Sequence, residues 1–177
     1  MTISTIEATI QGVSPLLMHA FPLEPIEAIE KKTPEEQARI TSYIDPDGMF
    51  FVPGVNIQRS LVSGASYSKG KGRSSMQKPL AACLLVSPER LIIHPQMWTI
   101  DSRPVVMPST RGRIIRHRIR FDRWEIKFDA QYDPDLITAT QLRRVVDDTG
   151  SRVGVLDFRP EKKGPFGRFM VTQWRAS

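Results

Sequence analysis

Two consecutive period-two segments constrain this chain more than any other feature. In Arg113–Phe121 the side chains Ile115, His117, Ile119 and Phe121 alternate with Arg116, Arg118 and Arg120. After Asp122-Arg123 the alternation resumes, with Trp124, Ile126, Phe128, Ala130 and Tyr132 against Glu125, Lys127, Asp129 and Gln131. Alternation at period two marks a strand with one buried face, so the pair predicts a hairpin with one apolar side. On that reading the first strand presents an arginine ladder to solvent. Like charges on one strand face repel each other, and binding to phosphates supplies a reason for the repulsion to be tolerated.

The flanking sequence supplies helices. Thr33-Pro-Glu-Glu36 is a capping box with proline at the first helical position, predicting a short helix to about Tyr43. Thr138-Ala-Thr-Gln141 is a second capping box, opening a helix over 139–149 with Ala139, Leu142, Val145 and Val146 on one face and Gly150 as its C′ residue. Pro53-Gly54 opens a third helix, in which Val55, Leu61 and Val62 share a face, and Met76–Val86 continues in a helical pattern. Strands are expected at 3–13, at 49–52, and at 90–94 and 98–107, where Pro104 marks an edge or bulge. A last strand is expected over Phe166–Trp174. The order strand, helix, strand pair, helix, strand is that of an α+β, ferredoxin-like (RRM-like) βαββαβ sheet backed by two helices. We read 1–177 as a single domain, with a proline- and acid-rich insertion at about 22–48 and a flexible basic loop at about 66–75.

Charge narrows the function. Lys plus Arg number 25 against 19 acids, a formal +6, which favours a polyanionic partner. The charges are segregated: 22–48 holds seven acids, whereas 111–123 holds six arginines. The single Cys83 excludes an internal disulfide, no apolar run reaches the roughly 18 residues of a membrane span, and no secretory signal is visible, so a cytoplasmic protein is expected. No metal-ligand cluster or cofactor motif is visible.

A glycine-rich basic stretch, Gly150 to Phe169, precedes the last strand. It interleaves Arg152, Arg159, Lys162, Lys163 and Arg168 with Phe158, Phe166 and Phe169. Such a loop lays backbone N–H groups and cations along phosphates while rings stack on bases; a surface hairpin whose glycines serve only the turn is the competing reading. The run 66–75 adds Lys69, Lys71 and Arg73 beside Tyr67, either as a phosphate-ordered loop or as a mere linker.

The pieces Gly12-Val-Ser-Pro-Leu-Leu17, Phe51-Val-Pro-Gly54 with Arg59-Ser-Leu-Val-Ser-Gly64, and Gly154…Lys162-Lys163-Gly-Pro-Phe-Gly-Arg-Phe169 resemble the RAMP superfamily of CRISPR-associated proteins, most nearly its guide-RNA-binding backbone subunits. Asp157-Phe158 and Pro160 stand where that family has more glycine or small residues. The resemblance implies a ferredoxin-like domain whose glycine-rich loop contacts RNA. The short chain fits a stand-alone relative, such as one encoded by a phage or other mobile element.

The expected function is non-catalytic binding of single-stranded RNA or DNA, RNA ahead of DNA, as a homo-oligomer along the strand or a subunit of a nucleoprotein complex. Arg113, Arg116, Arg118, Arg120, Arg152, Arg159, Lys162, Lys163, Arg168, Lys69, Lys71 and Arg73 are the expected phosphate contacts, and Tyr67, Phe158 and Phe166 the stacking candidates. Two alternatives are a metal-independent ribonuclease of RAMP type using His19 or His117, and an interaction or inhibitor protein that docks on a nucleoprotein. In the latter the acidic 22–48 segment seats on a basic face.

Overall fold

A computed structural model describes residues 2–176. The elements are β1 (Ser4–Gly12), β2 (Leu16–Leu17), α1 (Ile26–Ile29), α2 (Pro34–Ile40), β3 (Phe51–Pro53), α3 (Gly54–Gly64), α4 (Gln77–Cys83) and β4 (Leu85–Ser87). They continue as β5 (Arg90–Ile92), β6 (Thr99–Val106), β7 (Arg113–Phe121), β8 (Glu125–Tyr132), α5 (Ala139–Asp148) and β9 (Phe169–Ala176). The architecture is mixed α and β with antiparallel sheets.

The main sheet has the order β4-β8-β1-β9 with every neighbouring pair antiparallel. Ile6, Ala8 and Ile10 of β1 and Ile126, Phe128, Ala130 and Tyr132 of β8 bury one face of it. Ile57 and Leu61 of α3 and Leu142, Val145 and Val146 of α5 join the same core. The opposite sheet face is polar, and Lys127 pairs there with Glu7 at 3.3 Å. A second sheet has the order β2-β7-β6, and β3 pairs with β5. Pro104 sits on the edge strand β6 opposite Ile115, where its missing N–H is harmless.

The hairpin expected from the two alternating segments does not form. β8 runs beside β1 from Ser4↔Tyr132 to Gln11↔Glu125, and β4 takes its other edge. β7 pairs with β6 from Val106↔Arg113 to Thr99↔Arg120, and with β2 through Leu16 and Leu17. The two strands therefore belong to different sheets, joined by a corner at Asp122–Trp124. Trp124 fixes the corner: it is 2% exposed, its indole N–H donates to Ser14 O at 2.8 Å, and its carbonyl accepts from Gly12 N at 2.8 Å. Alternation states which face of each strand is buried, not which strand lies beside it.

The capping boxes at Thr33/Glu36 and Thr138/Gln141 both form. The first helix stops at Ile40, before Tyr43, and the helical pattern after Met76 yields to strand β4 at Leu85. The expected helix end at Gly150 is also corrected. α5 continues through a π turn, Thr149–Val153, and the chain leaves it at Gly154 with φ 72°. Gly150 serves close packing instead: a Cβ there would overlap the Phe169 carbonyl oxygen at the start of β9. The last strand consequently starts at Phe169, not Phe166.

Because that obstruction is backbone, Gly150→Ala is expected to destabilise the fold by about 1–3 kcal/mol, read as a lower urea midpoint at unchanged slope.

Candidate nucleic-acid interface

The third helix is positioned by its own first residue. Gly54 N donates to Glu89 O at 2.8 Å, and a Cβ at Gly54 would press on the Pro88 carbonyl. With Ile57 and Leu61 turned inward, Asn56 is followed by Arg59 and Ser60, and these by Ser63, at offsets of three and four residues that keep them on one side of the helix. They look across at the segment 156–162.

That segment is held from several directions. Val155 N donates to Gly167 O at 3.0 Å, Gly164 N to Arg159 O at 3.0 Å, and Asp157 N to Leu17 O at 3.0 Å. Gly154 and Gly167 both have φ 72°, which only glycine adopts freely. Leu156 and Phe158 also hold positive φ, 59° and 47°, a strained conformation for side chains of their size on either side of Asp157. Arg159 donates to Leu156 O at 2.9 Å and pairs with Glu161. Glu161 in turn accepts from Ser63 Oγ at 2.8 Å, fastening the loop to α3.

Between helix and loop lies a cleft of about 260 Å³ lined by His19, Tyr43, Asn56, Arg59, Ser60, Leu156, Asp157 and Arg159. A shallower one of about 530 Å³ continues from it, sharing Arg59 and Arg159 and adding Gln58, Ser63 and Lys162. The two make one groove along α3. Arg59 and Lys162 are exposed and form no ion pair among the described residues.

Of the expected phosphate contacts, the structure brings Arg159 and Lys162 to the groove. Lys163, Lys69, Lys71, Arg73 and Arg152 are exposed but line neither cleft; Lys69 lines a separate cleft with Tyr67 and Arg144, and Arg152 pairs with Asp148 at 3.4 Å. Arg113 and Arg168 are exposed but line neither cleft. The solvent-facing arginine ladder is corrected. Arg118 is 8% exposed, with Nη1 3.1 Å from Asp157 Oδ2. Arg120 pairs with Asp122 at 2.7 Å and lies 3.7 Å from Asp101. Arg116 is half-buried, and Ile115, expected inside, is exposed. Ile115 lies on the outer part of β7, beyond the core that buries Ile119 and Phe121 on the same face, while Arg118 and Arg120 on the other face meet Asp157 and the Phe166 ring.

The stacking candidates are also occupied. Phe166 is 4% exposed, with the guanidinium of Arg103 4.9 Å from its ring centre and that of Arg120 at 5.7 Å. Phe158 packs against Phe166 at 6.0 Å. Tyr67 is half exposed, and Arg152 covers one face at 4.9 Å. His117 lies outside the clefts, bonded through Nδ1 to Ser102 Oγ at 2.7 Å. Sequence reasoning missed Tyr43, Asn56, Arg59 and Asp157 as site residues. The polar spacing along 56–63 was the available signal for two of them.

His19 sits at the inner end of the groove. Its pKa is lowered, first by burial and then by Arg118 and Arg116, with Asp157 opposing. Burial likewise lowers Arg118, offset by Asp157.

No protein-family model matches the sequence, and no curated protein matches it. Chains of known structure do resemble the fold. One comes from the cryo-EM structure of the type III-B Cmr-beta bound to cognate target RNA, with a TM-score of 0.55 at 8% identity. The alignment covers 98% of this chain and 60% of that one, so the protein spans about three-fifths of its neighbour's length. Among the described residues, no helix is long and apolar enough to cross a membrane.

A depressed native pKa at His19 means that the unfolded chain binds the extra proton first. Stability contributed by the neutral ring is therefore present above the ordinary value of 6.5 and lost as pH falls below it. Melting between pH 7.5 and 5.5 is expected to lower the wild-type Tm by more than that of His19→Gln.

Proposed function

We propose that this protein binds single-stranded RNA along the α3 groove without cleaving it, as a compact RAMP-type protein. The observation that carries the reading is the groove itself: Arg59 and Lys162, exposed and without an ion pair among the described residues, line one continuous channel with Arg159, which Glu161 holds in place, beside a loop fixed in shape by its glycines. Cations spaced along a channel neutralise successive phosphates, and release of counterions drives association. Lys163, Lys69, Lys71 and Arg73 add exposed positive charge, and Tyr67, covered on one side by Arg152, offers its other face to a base. Arg118 and Arg120 serve structure in this reading. Likeness to a chain of Cmr-beta, itself bound to target RNA, supports RNA as the polyanion.

The strand order β4-β8-β1-β9, with α3 following β1 and α5 following β8, supports a ferredoxin-like core. The second strand of that core is β4, so the β6–β7 pair is an elaboration on it. In our reading 1–177 is one domain, assembling as a homo-oligomer or a nucleoprotein subunit in the cytoplasm.

A ribonuclease is the second reading, because His19 shares its cleft with Arg59 and Arg159, and a neutral imidazole beside cations suits a general base. Labelled single-stranded RNA incubated without metal is expected to stay intact; cleavage lost in His19→Gln would favour the enzyme.

The binding mechanism is tested by salt dependence. The double variant Arg59→Ala, Lys162→Ala is expected to weaken single-stranded RNA binding about tenfold or more. It should also flatten the slope of log affinity against log salt by about 1.4, as two lost phosphate contacts require. An unchanged slope overturns the groove.

A further inference from the structure

The basic run that follows α3 is a closed turn. Lys69 and Ser75 pair as an antiparallel bridge, Gly70 N donates to Ser74 O at 2.8 Å, and Met76 N donates to Ser68 O at 3.0 Å. A Cβ at Gly70 would press on the Ser75 carbonyl oxygen, so the two arms of the turn lie close together. The backbone of Lys69 is therefore held in place.

Between this turn and α5 lies a cleft of about 400 Å³, lined by Tyr67, Ser68, Lys69, Met76, Gln141 and Arg144. That volume falls within the roughly 300–1,000 Å³ of small-ligand sites. Met76 is buried and gives the cleft an apolar floor. Its cations are free: Lys69 and Arg144 are exposed, and neither has an ion pair among the described residues. No carboxylate lines it. Gln141 uses its side-chain oxygen to accept from Thr138 N at 2.9 Å, which leaves its amide NH₂ as a donor.

The Tyr67 ring is 49% exposed. Arg152 lies over one face, 4.9 Å from the ring centre, and Asp148 holds it there at 3.4 Å. Arg152 is not a wall of the cleft, so the cleft opens on the ring away from that guanidinium. An aromatic ring with a cation on one side and open space on the other accepts a base as a third layer. Unpaired cations, an amide donor and an open ring in one cleft fit a phosphate joined to a flat base, which is a nucleotide. Tyr67 also lies beyond the groove on the same helical path. It follows Ser63 by four residues, where α3 tightens into the turn Ala65–Tyr67, and stands about 12 Å past Arg59 at roughly 1.5 Å per residue.

We infer that this cleft is a second nucleotide site, in which one base of the bound strand stacks on Tyr67 while Lys69 and Arg144 hold its phosphate. The inference rests on the RNA-binding reading above and adds the direction in which the strand leaves the groove, past Ser63.

Anisotropy titrations of the full chain with a twelve-nucleotide oligouridine test it. Tyr67→Leu is expected to weaken binding about tenfold and Tyr67→Phe to leave it within about twofold, since stacking needs the ring and not the hydroxyl. The double variant Lys69→Ala, Arg144→Ala keeps the ring and is expected to flatten the slope of log affinity against log salt by about 1.4. Combined with Arg59→Ala and Lys162→Ala it should flatten the slope by about 2.8, because the two sites hold different phosphates. Should Tyr67→Leu lower the Tm, the cation variants decide alone. Wild-type affinity and slope in both the Tyr67→Leu and the Lys69/Arg144 variants overturn the second site and leave binding in the groove intact. Uridine monophosphate is expected to bind far more weakly than the oligomer; equal affinity, lost in Tyr67→Leu, marks a site for free nucleotides and overturns its place on the strand. Failure of the wild type to bind the oligomer overturns the RNA-binding reading, and the second site falls with it.

Discussion

The contact between Arg118 and Asp157 joins the two halves of the molecule. Arg118 belongs to the second sheet, and Asp157 to the loop that faces α3. Placing a guanidinium where it is 8% exposed carries a large desolvation cost, and the opposite charge at 3.1 Å offsets it. Around this pair the same chemistry repeats. Asp101 is gripped by Arg103 through two bonds of 2.6 Å and touched by Arg120, while Arg103 and Arg120 lie over the Phe166 ring. Carboxylates and an aromatic face thus stabilise three arginines of the β6–β7 pair. The loop is held against that pair on one side and, through Glu161 and Ser63, against α3 on the other.

This arrangement explains how strongly local signals survived into the structure and where they failed. Both capping boxes, the central strand β1, the helix after Pro53-Gly54 and the alternation of β8 were legible, because each depends on residues close in sequence. Pairing was not. Ile115 and Ile119 look alike in an alternating string, yet one is exposed and the other fully buried, since only the inner half of β7 lies over the core. Nor does a sequence show that Arg118, two residues from Arg116 and from Arg120, has the distant Asp157 carboxylate as its neighbour. Excess positive charge was read correctly as a sum and wrongly as a location.

The site was half legible for the same reason. Arg159 and Lys162 announced themselves in a basic, glycine-rich run. Arg59 and Asn56 sit in a helix whose apolar face drew the eye, and their polar face has meaning only once the loop lies opposite. Asp157 looked like a departure from a glycine-rich pattern. In the structure it lines the inner end of the groove and is the counterion of a buried arginine, a role that glycine cannot fill.

The glycines at 154 and 167 have a consequence for association as well as for shape. Their left-handed backbone, together with the Ser63–Glu161 fastening, fixes the loop's shape against α3. In the proposed role, ordering on encounter would fall chiefly on the incoming polymer, which would surrender its torsional freedom against a prearranged wall. Such a protein would capture its partner through rigidity rather than by folding around it.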